Sequence, residues 1–284
     1  MLKARYGLVY STGDMAGTGI ASFIKRLVDG LEEAECRDAR CVEAYYIPEL
    51  DSVLAGFEED IIYLEFLDEL LDVDAYIFLS RHKSEAGRRS LTVHHTGNPT
   101  SRADHGGSPY TLSISYSHMS KTLLKLVNKK AASRSLLGEY DVTLEATHHG
   151  PTGLSKPLVF IEIGSSEAEW RDDRARLVLA ESVVEALSNQ PAEDYCVPTV
   201  GFGGGHYPIK HTKLHLESEY CYGHIFAKYY FTEDIPASVY KQAFTKNYPV
   251  KPEIGIIEKK SLKSGIRKTL IEHLNEIGVE YRYI

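Results

Sequence analysis

Short apolar runs alternate with segments of helical period along nearly the whole chain. That alternation predicts an α/β fold, a mixed and largely parallel sheet with flanking helices. YGLVYS (6–11), AYIFLS (75–80), LTVHH (91–95), VTLEATHH (142–149) and LVFIEIG (158–164) read as strands, followed by VPTVGFGGG (197–205), CYGHIFAKYYF (221–231) and PEIGIIE (252–258). Between them, the loop Gly13 to Gly19 leads into a helix to about Asp29, with Ile20, Phe23, Ile24 and Leu27 on one face. Residues 58–72 look amphipathic, and 121–137 and 261–277 read as basic helices. Ser166 with Glu169 forms a capping box that opens a helix to about Leu187. No repeat or linker interrupts the pattern. It predicts one domain over 1–284, with an elaborated loop region near 95–120, rich in Gly, Ser and His, lying over the sheet.

Composition narrows the class. The 284 residues are 43% hydrophobic and 25% charged, enough to bury a sizeable core. No apolar run approaches the ~18 residues of a membrane span, and residues 1–20 lack signal-peptide architecture. Cys36, Cys41, Cys196 and Cys221 include no CxxC pair and read as reduced, mostly buried thiols of a cytoplasmic protein.

Charge is unevenly spread. The net charge is −8, yet Lys121, Lys125, Lys129, Lys130 and Arg134 occupy one stretch without an acid. A second basic stretch, 241–268, includes Lys259, Lys260, Lys263, Arg267 and Lys268, while 32–74 is strongly acidic. Such polarisation suits a molecule with one face toward a polyanion, although a basic helix is as often simply a solvated surface.

The candidate chemistry lies with the histidines. Eight of twelve (His82, His94, His95, His148, His149, His206, His211 and His224) fall at or just beyond predicted strand ends, where ligands bind in open α/β sheets. Neighbours on a strand point to opposite faces, so only one of each pair need face a site unless the chain has turned. Gly97-Asn98-Pro99 and Gly150-Pro151 say that it turns at once. Neutral imidazoles with carboxylates such as Glu145 or Glu162 make a zinc site by chemistry, while any single one could be a hydrogen-bonded structural residue. The run Gly201 to His206 lets several N–H groups approach an anion or a developing oxyanion, or is merely a tight connection. Neither a P-loop lysine nor a GxSxG elbow is present.

HHTGNP (94–99), EATHHGPT (145–152), FIEIGSSEAEW (160–170), GFGGGHYP (201–208) and GHIFAKY (223–229) together resemble the archaeal and plant type of D-aminoacyl-tRNA deacylase, over essentially the whole chain. The resemblance implies a phosphorylase/hydrolase-like α/β fold and hydrolysis of the ester between a D-amino acid and tRNA, with broad side-chain tolerance and zinc. The residues that match are His94, His95, His148, His149 and His206 with Glu162, without the motifs saying which bind zinc; the expected metal ligands among them are His94, His148, His149 and Glu162. His95 or His206 would be general base or donor to the leaving hydroxyl, and the amides of Gly203, Gly204 and Gly205 would line the oxyanion position. The tRNA would lie along the two basic helices, on a monomer with no membrane or protein partner. The alternatives are a metal-dependent hydrolase or phosphorylase of nucleosides or nucleotides, and a catalytically silent RNA-binding module.

Overall fold

The computed structural model describes residues 1–84, 87–188 and 196–284. Its strands are β1 (Tyr6–Ser11), β2 (Cys41–Ile47), β3 (Ser52–Phe57), β4 (Ala75–Lys83), β5 (Ser90–His94), β6 (Asp141–Leu144) and β7 (Leu158–Ser165). They lie in the order β6-β5-β7-β4-β1-β3-β2, with Glu32–Ala34 at the edge. The run β7-β4-β1-β3 is parallel, β6 is parallel to β5, and β5 runs antiparallel to β7. A second sheet, wholly parallel, takes β8 (Val197–Phe202), β9 (Tyr220–Phe226), β10 (Ile254–Ile257) and β11 (Glu280–Tyr283) in the order β9-β8-β10-β11. The expected mixed, largely parallel α/β architecture is what the chain adopts.

Alternation along the central strands decides where the site can be. Leu8, Ile77, Leu79, Val93, Val159, Ile161 and Ile163 point to one face. There they pack under α1 (Met15–Leu27), α2 (Ser117–Ser133) and α3 (Asp173–Ser188). The intervening residues Val9, Phe78, Leu158 and Phe160 point the other way, onto Leu64, Leu67 and Leu154 from connecting segments. Helices thus seal one face of the sheet, and loops cover the other.

Several local expectations are corrected. The acidic stretch hides two strands, β2 and β3: only Ala44 and Ile47 of β2 are buried, so its alternation is faint, while β3 is buried on both faces. Residues 58–72 hold two short turns, Ile61–Tyr63 and Leu67–Leu70, and the two-residue strand Leu71–Asp72, which pairs with Leu2–Lys3. The Ser166 capping box opens a single turn, Glu167–Trp170, before α3 begins. The thiols are not reduced. Cys36 bonds Cys41, and Cys196 bonds Cys221 because pairing of β8 with β9 brings their Cα atoms to 5.6 Å.

Helix α4 (Ile209–Glu217) turns His211 and His215 inward, where Tyr222 meets both: its hydroxyl lies 3.0 Å from His211 Nδ1 and its N–H donates to His215 Nδ1 at 3.0 Å. Burial favours the neutral rings and lowers their pKa to about 4 and about 3. In the unfolded chain both titrate near the ordinary value of about 6.5. Below that pH only the unfolded state takes up the protons, so stability falls as pH falls. Each ring costs about 1.4 kcal/mol per pH unit until its folded-state pKa is reached. Urea unfolding at pH 7.5, 6.0 and 5.0 should show this decline; a flat profile would contradict it.

Candidate active site

The loop-covered face of the main sheet carries the chemistry. Antiparallel pairing sets His94 opposite Phe160 and Thr92 opposite Glu162, and parallel pairing sets Ser80 beside Glu162 and His82 beside Gly164. His82, His94 and Glu162 therefore share one face. Gly164 makes room for them, since a Cβ there would lie 3.0 Å from the His82 ring and 2.5 Å from Ser90 Oγ. Phe160 forms the floor, its ring 5.1 Å from both His94 and His149.

After β6 the chain leaves the sheet at Glu145 and turns, with His149 at φ +46°. Alternation no longer applies, and both His148 and His149 reach the site: their rings lie 4.5 and 5.0 Å from that of His94. The 94/95 pair behaves oppositely. His95 follows strand alternation to the sealed face, where its Nδ1 lies 2.8 Å from Gly223 O, its ring 6.1 Å from that of His224. His95 is thus removed from the candidate catalytic groups.

His206 arrives from the second sheet. Gly203 and Gly204 adopt φ of +100° and +83°, and a Cβ on Gly203 would meet Ser261 Oγ at 2.2 Å. Their amides are already committed, Gly203 N–H to Phe226 O at 2.8 Å and Gly204 N–H to Ser261 Oγ at 2.9 Å. The glycines therefore shape a turn, and the three-amide oxyanion cradle expected of Gly203, Gly204 and Gly205 is not formed. The turn places His206 Nε2 2.9 Å from Glu145 Oε2 and its Nδ1 3.3 Å from the Tyr229 hydroxyl.

Glu145 is the centre of the cluster. Its Oε2 also lies 3.0 Å from His82 Nδ1 and 3.5 Å from His148 Nε2. His82 Nδ1 is 3.5 Å from Glu162 Oε2, and its Nε2 is 2.9 Å from the Tyr207 hydroxyl. Burial pushes both carboxyls up, but the surrounding imidazoles outweigh it and hold Glu145 and Glu162 below the usual carboxylate range. Burial likewise disfavours charge on His82, yet the two carboxylates raise its pKa to about 11. His149, buried beside His94, falls to about 4, and His148 is also well below its ordinary value.

Tautomers follow from the backbone. Nδ1 of His148 lies 2.8 Å from Ala146 O, and Nδ1 of His149 lies 2.6 Å from Gly150 O. A carbonyl only accepts, so both Nδ1 atoms carry hydrogen and both Nε2 lone pairs remain. His94 Nδ1 faces His95 O at 3.3 Å in the same way, leaving Nε2 directed at Glu162 Oε2, 3.5 Å off. His94 Nε2 and both Glu145 oxygens are buried without a well-aligned hydrogen bond.

A cleft of about 600 Å³ lies in front of these groups, with Asp14, Arg81, Ile61 and Ile62 among its walls. The helix N-terminus after the first glycine loop is not open to an anion, because Asp14 Oδ1 caps it from Ala16 N and Gly17 N at 2.8 and 3.1 Å. His82, at a strand end, and Glu145, a carboxylate three residues before His148, belong to the site although the motifs single out neither. The offset of three between Glu145 and His148 was the available signal.

The basic segments divide. Lys121 is buried and donates to Ser218 O and Tyr220 O, both at 2.6 Å. Lys129 and Lys130 meet Glu185 on α3, and Arg134 meets Glu181 at 2.6 Å, so this stretch is mostly a helix–helix seam, with Lys125 exposed. In the C-terminal stretch Lys259, Lys260, Lys263 and Lys268 are exposed, whereas the Arg267 guanidinium folds back onto Lys259 O at 2.9 Å.

Buried imidazoles and carboxylates converging on a cleft at a sheet's loop-covered face are the mark of an enzyme with an acid–base or metal-assisted centre. The model for the D-aminoacyl-tRNA deacylase family matches residues 69–282. The D-aminoacyl-tRNA deacylase of Aeropyrum pernix is 44% identical over 284 residues, covering 99% of this chain and 100% of the relative. That of Desulfurococcus amylolyticus is 46% identical over 282 residues, covering 98% and 99%. A crystal structure described as the conserved protein of unknown function AF0625 superposes with a TM-score of 0.88 at 32% identity, over 100% of this chain and 96% of that one. The chain belongs to the D-aminoacyl-tRNA deacylase family.

Proposed function

We propose that the protein hydrolyses the ester linking a D-amino acid to tRNA, releasing the free amino acid and tRNA, with broad tolerance of the side chain. As a member of its family the chain is a hydrolase acting on ester bonds. What supports the reading within the structure is the meeting of four family-like segments, through His94, Glu145, His148, His149, Glu162 and His206, at one cleft.

The donor set suits a zinc ion. Three Nε2 lone pairs, each with its ring fixed by an Nδ1–H to a backbone carbonyl, face two buried carboxylates, an arrangement of acceptors that a cation satisfies. His94, His148, His149 and Glu162 would hold it, with Glu145 on the border between this set and His206. Such an ion would supply Lewis acidity toward the ester carbonyl and toward water.

The remaining groups handle protons and position. His206, half-buried at the cleft wall with its Nε2 beside Glu145, can take a proton from water and return it to the departing ribose oxygen. His82 sits between Glu145 and Glu162 and keeps the two like charges apart. Tyr207 fixes the far side of the His82 ring. The phosphates of the tRNA would follow the exposed Lys259, Lys260, Lys263 and Lys268.

The test is ester loss from D-Tyr-tRNA and L-Tyr-tRNA side by side, with and without a chelator. Loss of the D-ester alone is expected, abolished by chelation and restored by zinc. Deacylation that ignores the chelator would remove the metal from this reading, and survival of both esters would remove the reading itself.

A further inference from the structure

The imidazoles of His148 and His149 form a wall shared by two cavities. One is the cleft of about 600 Å³ already described; the other, about 470 Å³, is lined by Tyr229 and Tyr230. An ester reacting at this wall must send its acyl group into one cavity and its ribose into the other. This argument rests on the deacylase reading above.

The linings differ. The first cavity mixes charges, Asp14, Asp60 and Glu162 with Arg81 and Lys83, and adds the apolar Ile61 and Ile62 as room for a side chain. The second also holds charges, Arg102, Asp104 and Glu233, but it alone of the two carries an aromatic pair, with ring centroids 4.6 Å apart. Tyr230 is anchored by its hydroxyl to Thr147 O at 2.8 Å, while Tyr229 is 41% exposed. An exposed, backed tyrosine ring is a surface on which a base can stack.

Placement points the same way. Lys228 N–H donates to Gly204 O, and Gly204 N–H donates to Ser261 Oγ, each at 2.9 Å. The tyrosines therefore adjoin the exposed Lys259, Lys260 and Lys263. Phosphates crossing those lysines would pass beside the tyrosines. We infer that the aromatic cavity seats the terminal adenosine of the tRNA, with Tyr229 as its stacking platform, and that the other cavity takes the aminoacyl group.

Two small esters test this: the D-tyrosyl ester of adenosine, and that of methyl riboside, which lacks the base. D-Tyr-tRNA serves as the reference. The wild-type enzyme should favour the adenosine ester by about 5- to 100-fold in kcat/KM, expressed in KM. Tyr229→Ala should erase that preference. Tyr229→Phe should keep it, whatever loss of the hydroxyl beside His206 does to kcat, and so controls for folding and for His206 alignment. Equal use of the two esters by wild type, or a preference that survives Tyr229→Ala or vanishes in Tyr229→Phe, would overturn the assignment while leaving deacylation of D-Tyr-tRNA intact. No action on D-Tyr-tRNA would end the deacylase reading and the assignment with it.

Discussion

Glu145→Gln should slow deacylation by on the order of 10³- to 10⁴-fold, the scale seen when a buried carboxylate behind a catalytic imidazole becomes an amide. The exchange preserves volume, so the fold has no cavity to absorb. It removes the charge that three imidazoles share, since Glu145 Oε2 lies 2.9, 3.0 and 3.5 Å from His206, His82 and His148. It also allows an amide N–H to face the imidazole nitrogens where an acceptor stood. On the zinc reading proposed above, metal affinity of the variant should fall along with kcat, by about 10- to 100-fold, as expected for loss of a buried carboxylate at the edge of a ligand set. Single-turnover kinetics and metal analysis check both, and a kcat within tenfold of wild type would remove Glu145 from the centre of the site.

Gly106→Ala should cost about 2–4 kcal/mol, far more than a surface substitution. Gly106 has φ +77°, and a Cβ would lie 2.3 Å from Ile62 O, a backbone atom that cannot rotate aside. The neighbouring segment is bound on all sides: Asn98 Nδ2 donates to Gly106 O at 2.8 Å, Ser108 N–H donates to Thr152 Oγ1 at 2.9 Å, and Gly150 N–H donates to His105 O at 3.0 Å. Displacing it would disturb Gly150 and hence the turn that delivers His148 and His149, so activity should fall with stability. Gly138→Ala is the control. Its φ is +99° but nothing lies within 4 Å of the added carbon, so only the backbone penalty of about 1–2 kcal/mol remains. Denaturant unfolding of the pair separates strain from collision, and equal losses would refute the distinction.

Much of this architecture was legible in the chain, because strands such as β4 and β7 are apolar runs of ordinary length and α1 has a clear amphipathic face. What escaped were elements whose signal is set by neighbours. β2 has few buried positions because it lies near a sheet edge, so its alternation is faint within a strongly acidic stretch. At the site, His94, His148, His149, Glu162 and His206 were recognisable from motifs, yet their orientation was not. His95 and His149 have the same sequence context, each the second of an adjacent pair, and end on opposite sides of the sheet because one remains on strand period and the other follows a turn with φ +46°. The basic segment of α2 misled for a related reason. Its charges are matched by Glu181 and Glu185 on another helix, about fifty residues away in sequence.

The strict two-residue period of β7 has an evolutionary consequence. Phe160, Glu162 and Gly164 serve the cleft, while Val159, Ile161 and Ile163 lock the sheet to its helices. Deleting or inserting one residue between Leu158 and Ser165 would exchange the two sets, burying Glu162 under apolar helices and presenting isoleucines to the histidines. Drift in this strand is therefore confined to substitution, and length variation among relatives should collect in the connections, leaving this eight-residue ruler at constant length.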